Sequence, residues 1–215
     1  DAQTGAEIWK FEVGGIDNPS EGLQKGVGSS PAISDGVVLF GSAQRGGASR
    51  ELFFYALDLM TGEKLWSYSS WNVITSPTLS GDAVYFGSFG SFYGLAVDDG
   101  STILKFEAGI VTTEPAIYEG LAYFGTQDGL VFAVDLENGE EKWVFDAGSY
   151  INNAPSISDG VVYLGISSGM FYALDSQTGQ VLWEFDTGEY LSTSPVISSG
   201  VIYFGSDEGH LFALK

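Results

Sequence analysis

Three features of the sequence predict an all-β fold, a β-propeller of five four-stranded antiparallel blades. The first is a succession of short apolar segments and turns across 215 residues that include 30 glycines and 15 phenylalanines. The second is a pattern that recurs five times, with prolines at positions 31, 77, 115, 155 and 195. A period near 40 residues is typical of propellers. The third is the presence of four strand-like pieces in each repeat, the number found in one blade.

The four predicted strands of a repeat follow one another in a fixed order. The first, "SPVIS" at 194–198, is short and rich in small residues, as expected beside a narrow central channel. The second, "GVIYFGS" at 200–206, is an apolar run, and a glycine-containing turn leads to the third, "HLFAL" at 210–214. A Thr-Gly turn then leads to a fourth strand such as "QVLWEF" at 180–185.

The two ends of the sequence match complementary parts of one repeat. Residues 1–11 resemble a fourth strand, whereas the sequence stops after a third strand. We therefore predict that residues 1–11 complete the last blade and close the ring, so that 1–215 forms one domain without a free sheet edge. The alternative is a segment of a longer ring, because a boundary between repeats would also give whole repeats.

An acid, a Gly-containing turn and a tryptophan introduce most of the fourth strands. The motif reads "DAQTGAEIWKF", "DLMTGEKLWSY", "DLENGEEKWVF" and "DSQTGQVLWEF", while the remaining repeat has "DDGSTILKF". An outer-strand tryptophan can bury about 150–250 Å² against a neighbouring blade, and Asp and Thr oxygens can hold the amides of the turn. A motif that recurs in every blade is expected to be structural. We assign this docking role to Trp9, Trp66, Leu104, Trp143 and Trp183.

The order Ala/Val-x-Asp-x-x-Thr-Gly-x-x-x-Trp resembles the tryptophan-docking repeat of quinoprotein-type propellers, the pyrroloquinoline-quinone-like (PQQ-like) family, over essentially the whole chain. The dehydrogenases of that family bind the quinone in an eight-bladed ring, with a vicinal disulfide, a calcium ion and a catalytic aspartate. This chain has no cysteine and no acid–amide cluster that maps onto the calcium ligands. We therefore expect no cofactor, no metal and no catalytic residue. The resemblance instead implies the non-catalytic branch, scaffold or binding modules of the cell envelope with an extracytoplasmic location.

Charge and composition exclude several classes of partner. The 28 acidic residues outnumber the 8 basic ones, for a net charge of −20, and such a surface repels nucleic acid and anionic lipid. No apolar run approaches the roughly 18 residues of a membrane helix. We thus expect no nucleic-acid partner and no membrane insertion.

The loops before the first strand of each repeat form the predicted binding surface, because loops on a rigid ring commonly carry function. Aromatic rings beside hydroxyl and amide groups can stack on a sugar and hydrogen-bond it. Alternatively, the rings cover blade ends and the polar groups cap strands. We expect a protein or carbohydrate ligand here. The predicted surface comprises Trp71, Asn72, Thr75, Thr113, Glu114, Tyr150, Asn152, Asn153, Tyr190, Ser192 and Thr193.

The first repeat adds positive charge to this surface. Its long loops carry Lys25, Arg45 and Arg50. We include Arg45 and Arg50 in the predicted surface, where their positive charge would form ion pairs within the chain or contact a partner. A glycosidase is the enzymatic alternative, but it needs two or three converging carboxylates. Glu114 alone lies directly beside a first strand, whereas Asp128, Asp207 and Glu208 fall in turns. The interpretation is a non-catalytic scaffold or binding module, with a lectin-like sugar binder and then a glycosidase as alternatives.

Overall fold

The structure, a computed structural model, describes residues 1, 3–13, 24–45, 51–71 and 75–215. Within these ranges the chain forms strands and no helix, so the predicted all-β class is confirmed. No described segment is a helix able to cross a membrane. The strands are β1 (Gln24–Val27), β2 (Ala32–Ser34), β3 (Val37–Arg45), β4 (Glu51–Asp58), β5 (Lys64–Trp71), β6 (Thr78–Ser80), β7 (Ala83–Gly87), β8 (Phe89–Ala96), β9 (Thr102–Ile110), β10 (Ala116–Tyr118), β11 (Leu121–Gly125), β12 (Leu130–Asp135), β13 (Glu141–Asp146), β14 (Ser156–Ser158), β15 (Val161–Gly165), β16 (Met170–Asp175), β17 (Val181–Asp186), β18 (Val196–Ser198), β19 (Val201–Gly205) and β20 (Leu211–Leu214).

The strands pair into five sheets that follow the chain. The first sheet has the order β1-β3-β4-β5, with β2 also paired to β3. The second, third and fourth sheets are β6 to β9, β10 to β13 and β14 to β17, each in chain order. The fifth sheet comprises β18, β19 and β20. The predicted fourth strand of this last sheet is not formed, since described residues 3–13 contain no strand, and the closed five-bladed ring stays a prediction.

Two compact units divide the chain. Unit 1 comprises residues 1–89 and 93–103, and unit 2 comprises residues 90–92 and 104–215. In unit 1, Phe54 of the first sheet stacks on Phe86 of the second with ring centroids 4.3 Å apart. In unit 2, Phe171 of the fourth sheet stacks on Phe204 of the fifth at 4.1 Å. Each unit is therefore held by aromatic rings interleaved between successive sheets.

Two second strands, β7 and β11, are apolar because both of their faces are covered. Every residue of β7 and of β11 is buried, which matches the uninterrupted apolar runs in the sequence. The outer strand β13 instead alternates, with Trp143 buried and its neighbours exposed. The period of two residues therefore appears only where one face of a strand meets water.

The Asp and Thr of the recurrent motif build its turn. Asp58 Oδ1 accepts hydrogen bonds from Thr61 N at 2.7 Å and Thr61 Oγ1 at 3.0 Å, and these bonds lower the pKa of the Asp58 carboxyl. Asp175 holds Thr178 in the same way, at 2.8 Å for both bonds. The turn brings a glycine with positive φ to the surface of the sheet, where a flat ring can approach.

Three tryptophans lie on such turns. Trp9 Nε1 donates to Leu59 O at 2.9 Å, Trp66 Nε1 to Val97 O at 2.8 Å, and Trp143 Nε1 to Ser176 O at 2.8 Å. A Cβ built on the turn glycine would lie 2.6–2.7 Å from the indole, at Gly62, Gly100 and Gly179 respectively. Leu104 lies 3.6 Å from the same point on Gly139. We call this arrangement, a side chain lying on the glycine of a motif turn, a docking contact.

Trp183 differs from the other motif tryptophans. It lies on none of the motif glycines Gly5, Gly62, Gly100, Gly139 and Gly179, and its side chain is exposed. Its ring instead contacts Phe171 and Tyr163 of its own sheet, each with centroids 6.0 Å away. The sequence gives no sign of this difference, because the Asp, Gly and Trp of the motif have the same spacing around Trp183 as around the other three tryptophans.

Candidate ligand and partner surface

Three threonines of the predicted surface hold the backbone of their own sheets. Each precedes the first strand of a repeat, and its hydroxyl oxygen accepts a hydrogen bond from a glycine N–H in the second strand. The pairs are Thr75 with Gly87 at 2.9 Å, Thr113 with Gly125 at 2.8 Å, and Thr193 with Gly205 at 2.7 Å. Thr75 and Thr113 are also buried. The geometry of these hydroxyls therefore favours strand capping, the alternative to ligand binding.

Two neighbouring loops of unit 2 are joined by side-chain hydrogen bonds. These loops precede β14 and β18. The bonds run from Asn152 Nδ2 to Tyr190 Oη at 3.0 Å, from Asn153 Nδ2 to Leu191 O at 2.8 Å, and from Ala154 N to Ser194 Oγ at 2.9 Å. Asn153 is buried, so its amide acts inside this joint, whereas Asn152 and Tyr190 lie at the edge of it.

Asn152 has a polar atom left over. Its Oδ1 is buried and has no hydrogen-bond partner among the described residues. An unpaired buried acceptor destabilises a fold by about 1–3 kcal/mol, and exchanging the amide oxygen and nitrogen would leave the nitrogen unpaired instead. Because this oxygen is closed to solvent, the part of the site that an approaching molecule can contact is the exposed ring of Tyr150.

Each of the two loops carries a tyrosine. Tyr150 is exposed, and its carbonyl oxygen accepts hydrogen bonds from Ser167 N at 3.1 Å and Ser167 Oγ at 2.8 Å, which fixes the loop. Tyr190 is half-buried, and its carbonyl accepts from Asp207 N at 3.0 Å. Each loop is thus fixed by a turn 17 residues later, and the tyrosine rings are presented from a rigid base.

Glu189, which precedes Tyr190 in the sequence, forms a cluster with Ser206 and His210. Glu189 accepts a hydrogen bond from Ser206 Oγ at 2.5 Å and pairs with His210 Nδ1 at 2.7 Å. The Ser206 bond and then His210 hold the pKa of Glu189 below its ordinary value. Ser206 donates to the glutamate rather than to the histidine, so the cluster does not prepare a serine nucleophile. Sequence reasoning missed the cluster, although the 17-residue offset between loop and turn relates Glu189 to Ser206.

Glu114 is the acid that the glycosidase alternative requires. Its side chain is exposed at the loop before β10, and partial burial raises the pKa of its carboxyl above the ordinary value. Burial alone causes this shift, and no neighbouring carboxylate contributes, as one would in a catalytic pair. The described residues also contain no group of three or more His, Cys, Asp or Glu that could hold a metal.

Several predicted residues lie outside what the structure describes. These are Asn72, Arg50 and the side chains of Trp71 and Arg45, whose backbones end β5 and β3. Ser192 is described, and its N–H donates to Gly205 O at 3.4 Å. Of the predicted surface, the structure brings Asn152 and Tyr190 into direct contact, with Tyr150 on the same loop as Asn152.

Comparison with known proteins gives one family match. The family model described as "Outer membrane protein assembly factor BamB" matches residues 1–144 and 89–215, which together cover the chain. No curated protein matches. Among solved structures, BamB from Moraxella catarrhalis has a TM-score of 0.69 and 22% identity, covering 87% of this chain and 57% of that one.

Two further solved structures have a similar fold. The computationally designed Ika8 protein has a TM-score of 0.69 and 17% identity, covering 87% of this chain and 70% of that one. A quinohemoprotein alcohol dehydrogenase from Pseudomonas putida HK5 has a TM-score of 0.68 and 15% identity, covering 88% and 40%. At these identities the likeness concerns the fold alone. The chain spans little more than half the length of the Moraxella protein.

Proposed function

The chain belongs to the PQQ-like repeat family of propellers whose model is described as outer membrane protein assembly factor BamB, and from this membership we propose a non-catalytic module that binds a protein partner. The observation that carries the proposal is the surface formed by Tyr150, Asn152 and Tyr190. It combines an exposed aromatic ring with a buried amide oxygen that lacks a donor. Tyrosine rings are frequent anchors at protein interfaces, so the exposed ring is the part of this surface that favours a protein partner.

The residues present do not fit a quinone enzyme. The vicinal disulfide of the quinone dehydrogenases needs cysteines, which this chain does not have. The described part contains no acidic cluster suited to a calcium ion. The threonine hydroxyls and the Asn153 amide are engaged in hydrogen bonds within the fold. These features support binding without chemistry.

The sheets and the recurrent motif have a structural role in the proposed module. The five sheets act as propeller blades, and the motif tryptophans act as joints between successive blades. The indole N–H bonds of Trp9, Trp66 and Trp143 to turn carbonyls support this role. The proposed place of action is extracytoplasmic, because a factor that assembles outer membrane proteins acts outside the cytoplasm.

The test uses a urea-unfolded outer-membrane β-barrel protein, fluorescently labelled and diluted into a solution of the chain. Binding is measured by fluorescence anisotropy for the wild type and for Tyr150→Ala, with Met60→Ala as control. Met60 is exposed on a turn of unit 1, so the control removes an exposed apolar side chain elsewhere. We expect Tyr150→Ala to weaken binding about tenfold, as for an interface anchor. Absence of binding, or equal losses in the two variants, would overturn the proposal.

A carbohydrate ligand is the second candidate. It is favoured by the exposed ring of Tyr150 on the loop that also carries the Asn152 amide, since sugars stack on aromatic faces and bind amides. A glycan array on the wild type, Tyr150→Ala and Trp71→Ala separates the two candidates. A glycan signal that both variants lose supports the lectin-like function, and an array without signal leaves the protein partner.

A further inference from the structure

The residue before the proline of each repeat can link two successive loops. Within unit 1, Ser30 N donates a hydrogen bond to Ser76 Oγ at 3.1 Å. Within unit 2, Ala154 N donates to Ser194 Oγ at 2.9 Å. In both pairs, a main-chain N–H of one repeat is satisfied by the hydroxyl at the same place in the next repeat. We call this hydrogen bond a serine link.

The serine link is missing between the third and fourth repeats, which both lie in unit 2. Glu114 stands before Pro115, and the residue at the same place in the next repeat is Ala154, which has no hydroxyl. The two loops are joined instead by Thr112 Oγ1, which donates to Ile151 O. Among the described residues, none accepts a hydrogen bond from Glu114 N. This N–H is therefore a donor that another molecule can use.

The side chain of Glu114 adds an acceptor at the same place. The residue is exposed, yet partial burial raises the pKa of its carboxyl above the ordinary value. Burial is the only cause of this shift, so no cation or hydrogen-bond donor of the described chain lies against the carboxylate. A carboxylate that is partly shielded from water attracts a cation more strongly than one in bulk solvent. Glu114 thus combines an unpaired donor with an unpaired acceptor.

On the basis of the proposed function, we propose that Glu114 receives a basic side chain, lysine or arginine, of the protein partner. A main-chain carbonyl of the same partner segment accepts a hydrogen bond from Glu114 N. One lysine or arginine residue carries both groups, and its bond to the carboxylate is charge-assisted. The net charge of −20 attracts a basic segment to the chain. A neutral sugar has no cation for this carboxylate, so the contact favours a polypeptide.

The first test repeats the anisotropy measurement with the labelled, urea-unfolded outer-membrane protein. Glu114→Gln removes the charge and keeps the size of the side chain. It should weaken binding about fivefold, the scale of a partly exposed ion pair, and it should make the affinity less dependent on sodium chloride. Glu137→Gln is the matched control, because Glu137 is exposed on the motif turn between β12 and β13. It should change neither the affinity nor its salt dependence.

The second test restores the missing serine link. Ala154→Ser supplies the hydroxyl that Ser76 and Ser194 provide at the same place, so it should accept the hydrogen bond from Glu114 N. We expect the urea midpoint of the free chain to rise. Binding should weaken about threefold to tenfold, because the carbonyl of the partner loses its donor. Ala6→Ser, at an exposed alanine of unit 1, should leave both quantities unchanged.

The outcomes separate this contact from the proposed function. A wild type that does not bind overturns both. Binding that Tyr150→Ala weakens, while Glu114→Gln and Ala154→Ser leave it unchanged, overturns the contact at Glu114 alone. Equal effects of Glu114→Gln and Glu137→Gln on affinity and salt dependence would indicate general attraction by an acidic surface, and this result would also overturn the contact.

Discussion

Replacing Gly179 by alanine tests the close approach on which the docking contact of Trp143 depends. Gly179 has a φ of +70°, where an L side chain is strained, and its Cβ would lie 2.7 Å from Trp143 Cδ2. Carbon atoms in contact are about 3.5–4.0 Å apart, so the indole must retreat by about 1 Å. That retreat stretches the 2.8 Å bond from Trp143 Nε1 to Ser176 O beyond hydrogen-bond range.

The expected magnitude follows from these separate effects. Left-handed backbone strain costs about 1–2 kcal/mol, the lost hydrogen bond about 1 kcal/mol, and overpacking at the indole about 1–3 kcal/mol. Gly179→Ala should therefore lower the free energy of unfolding by about 3–6 kcal/mol. Gly148→Ala has a nearly equal φ of +74° with nothing within 4 Å, so it should lose only the strain, about 1–2 kcal/mol.

Urea unfolding followed by far-ultraviolet circular dichroism measures both variants against the wild type. The midpoint should shift clearly further for Gly179→Ala than for Gly148→Ala, with similar slopes, because the slope reports the surface exposed on unfolding. Equal shifts in the two variants would refute the reasoning, since they would show that the indole yields to the added methyl group without loss.

Three other outcomes are expected. Glu189 has a lowered pKa in the folded state, so its carboxylate stabilises the fold at a pH above the ordinary glutamate pKa. This contribution is lost as the pH falls through the lowered value. Glu189→Gln should therefore remove that part of the pH dependence of the urea midpoint. Burial raises the pKa of Tyr123 from 10.0 to about 12, so an absorbance titration should show that this tyrosine ionises after the exposed tyrosines. The stabilising effect of Tyr123 should be complete below pH 10.0 and lost as the pH rises through about 12. Replacing the buried Trp143 by alanine should cost about 3–5 kcal/mol, and replacing the partly exposed Trp183 less than half of that, both measured by urea unfolding.

A dye-reduction assay tests whether the chain lacks quinone-dependent dehydrogenase activity. The chain is incubated with calcium and pyrroloquinoline quinone, and the reduction of an electron-accepting dye is followed with an alcohol as substrate. No reduction above the protein-free mixture is expected. Alcohol-dependent reduction of the dye would contradict the non-catalytic function.

Most of the strand order could be predicted because it rests on local patterns. The run "GVIYFGS" and its equivalents predict buried strands, and β11 is buried at every residue. The Asp-x-x-Thr-Gly segments predict tight turns, and Asp58 and Asp175 hold those turns with hydrogen bonds at or below 3.1 Å. Such bonds form between residues two or three positions apart, so neighbours in sequence are enough to specify them.

The candidate site could be predicted only in outline. Loop position selected Tyr150, Asn152 and Tyr190, whose role in binding stays a prediction, and it also selected Thr75 and Thr113, whose hydroxyls accept hydrogen bonds from glycine N–H groups of the second strand. A hydroxyl that binds a ligand and one that caps a strand have the same place in the repeat. The partner of each polar group comes from another part of the chain, so the spacing of residues along one loop cannot assign it.

Trp143 and Trp183 separate the contributions of sequence and tertiary structure. Both stand at the same place in the repeat, eight residues after the Asp and four after the Gly of the motif, and both pair with an alanine of the third strand. One indole is nonetheless buried on Gly179, and the other is exposed beside a cavity. Turn chemistry and strand period are properties of adjacent residues, whereas burial depends on which surface lies opposite, and only the assembled sheets supply that surface.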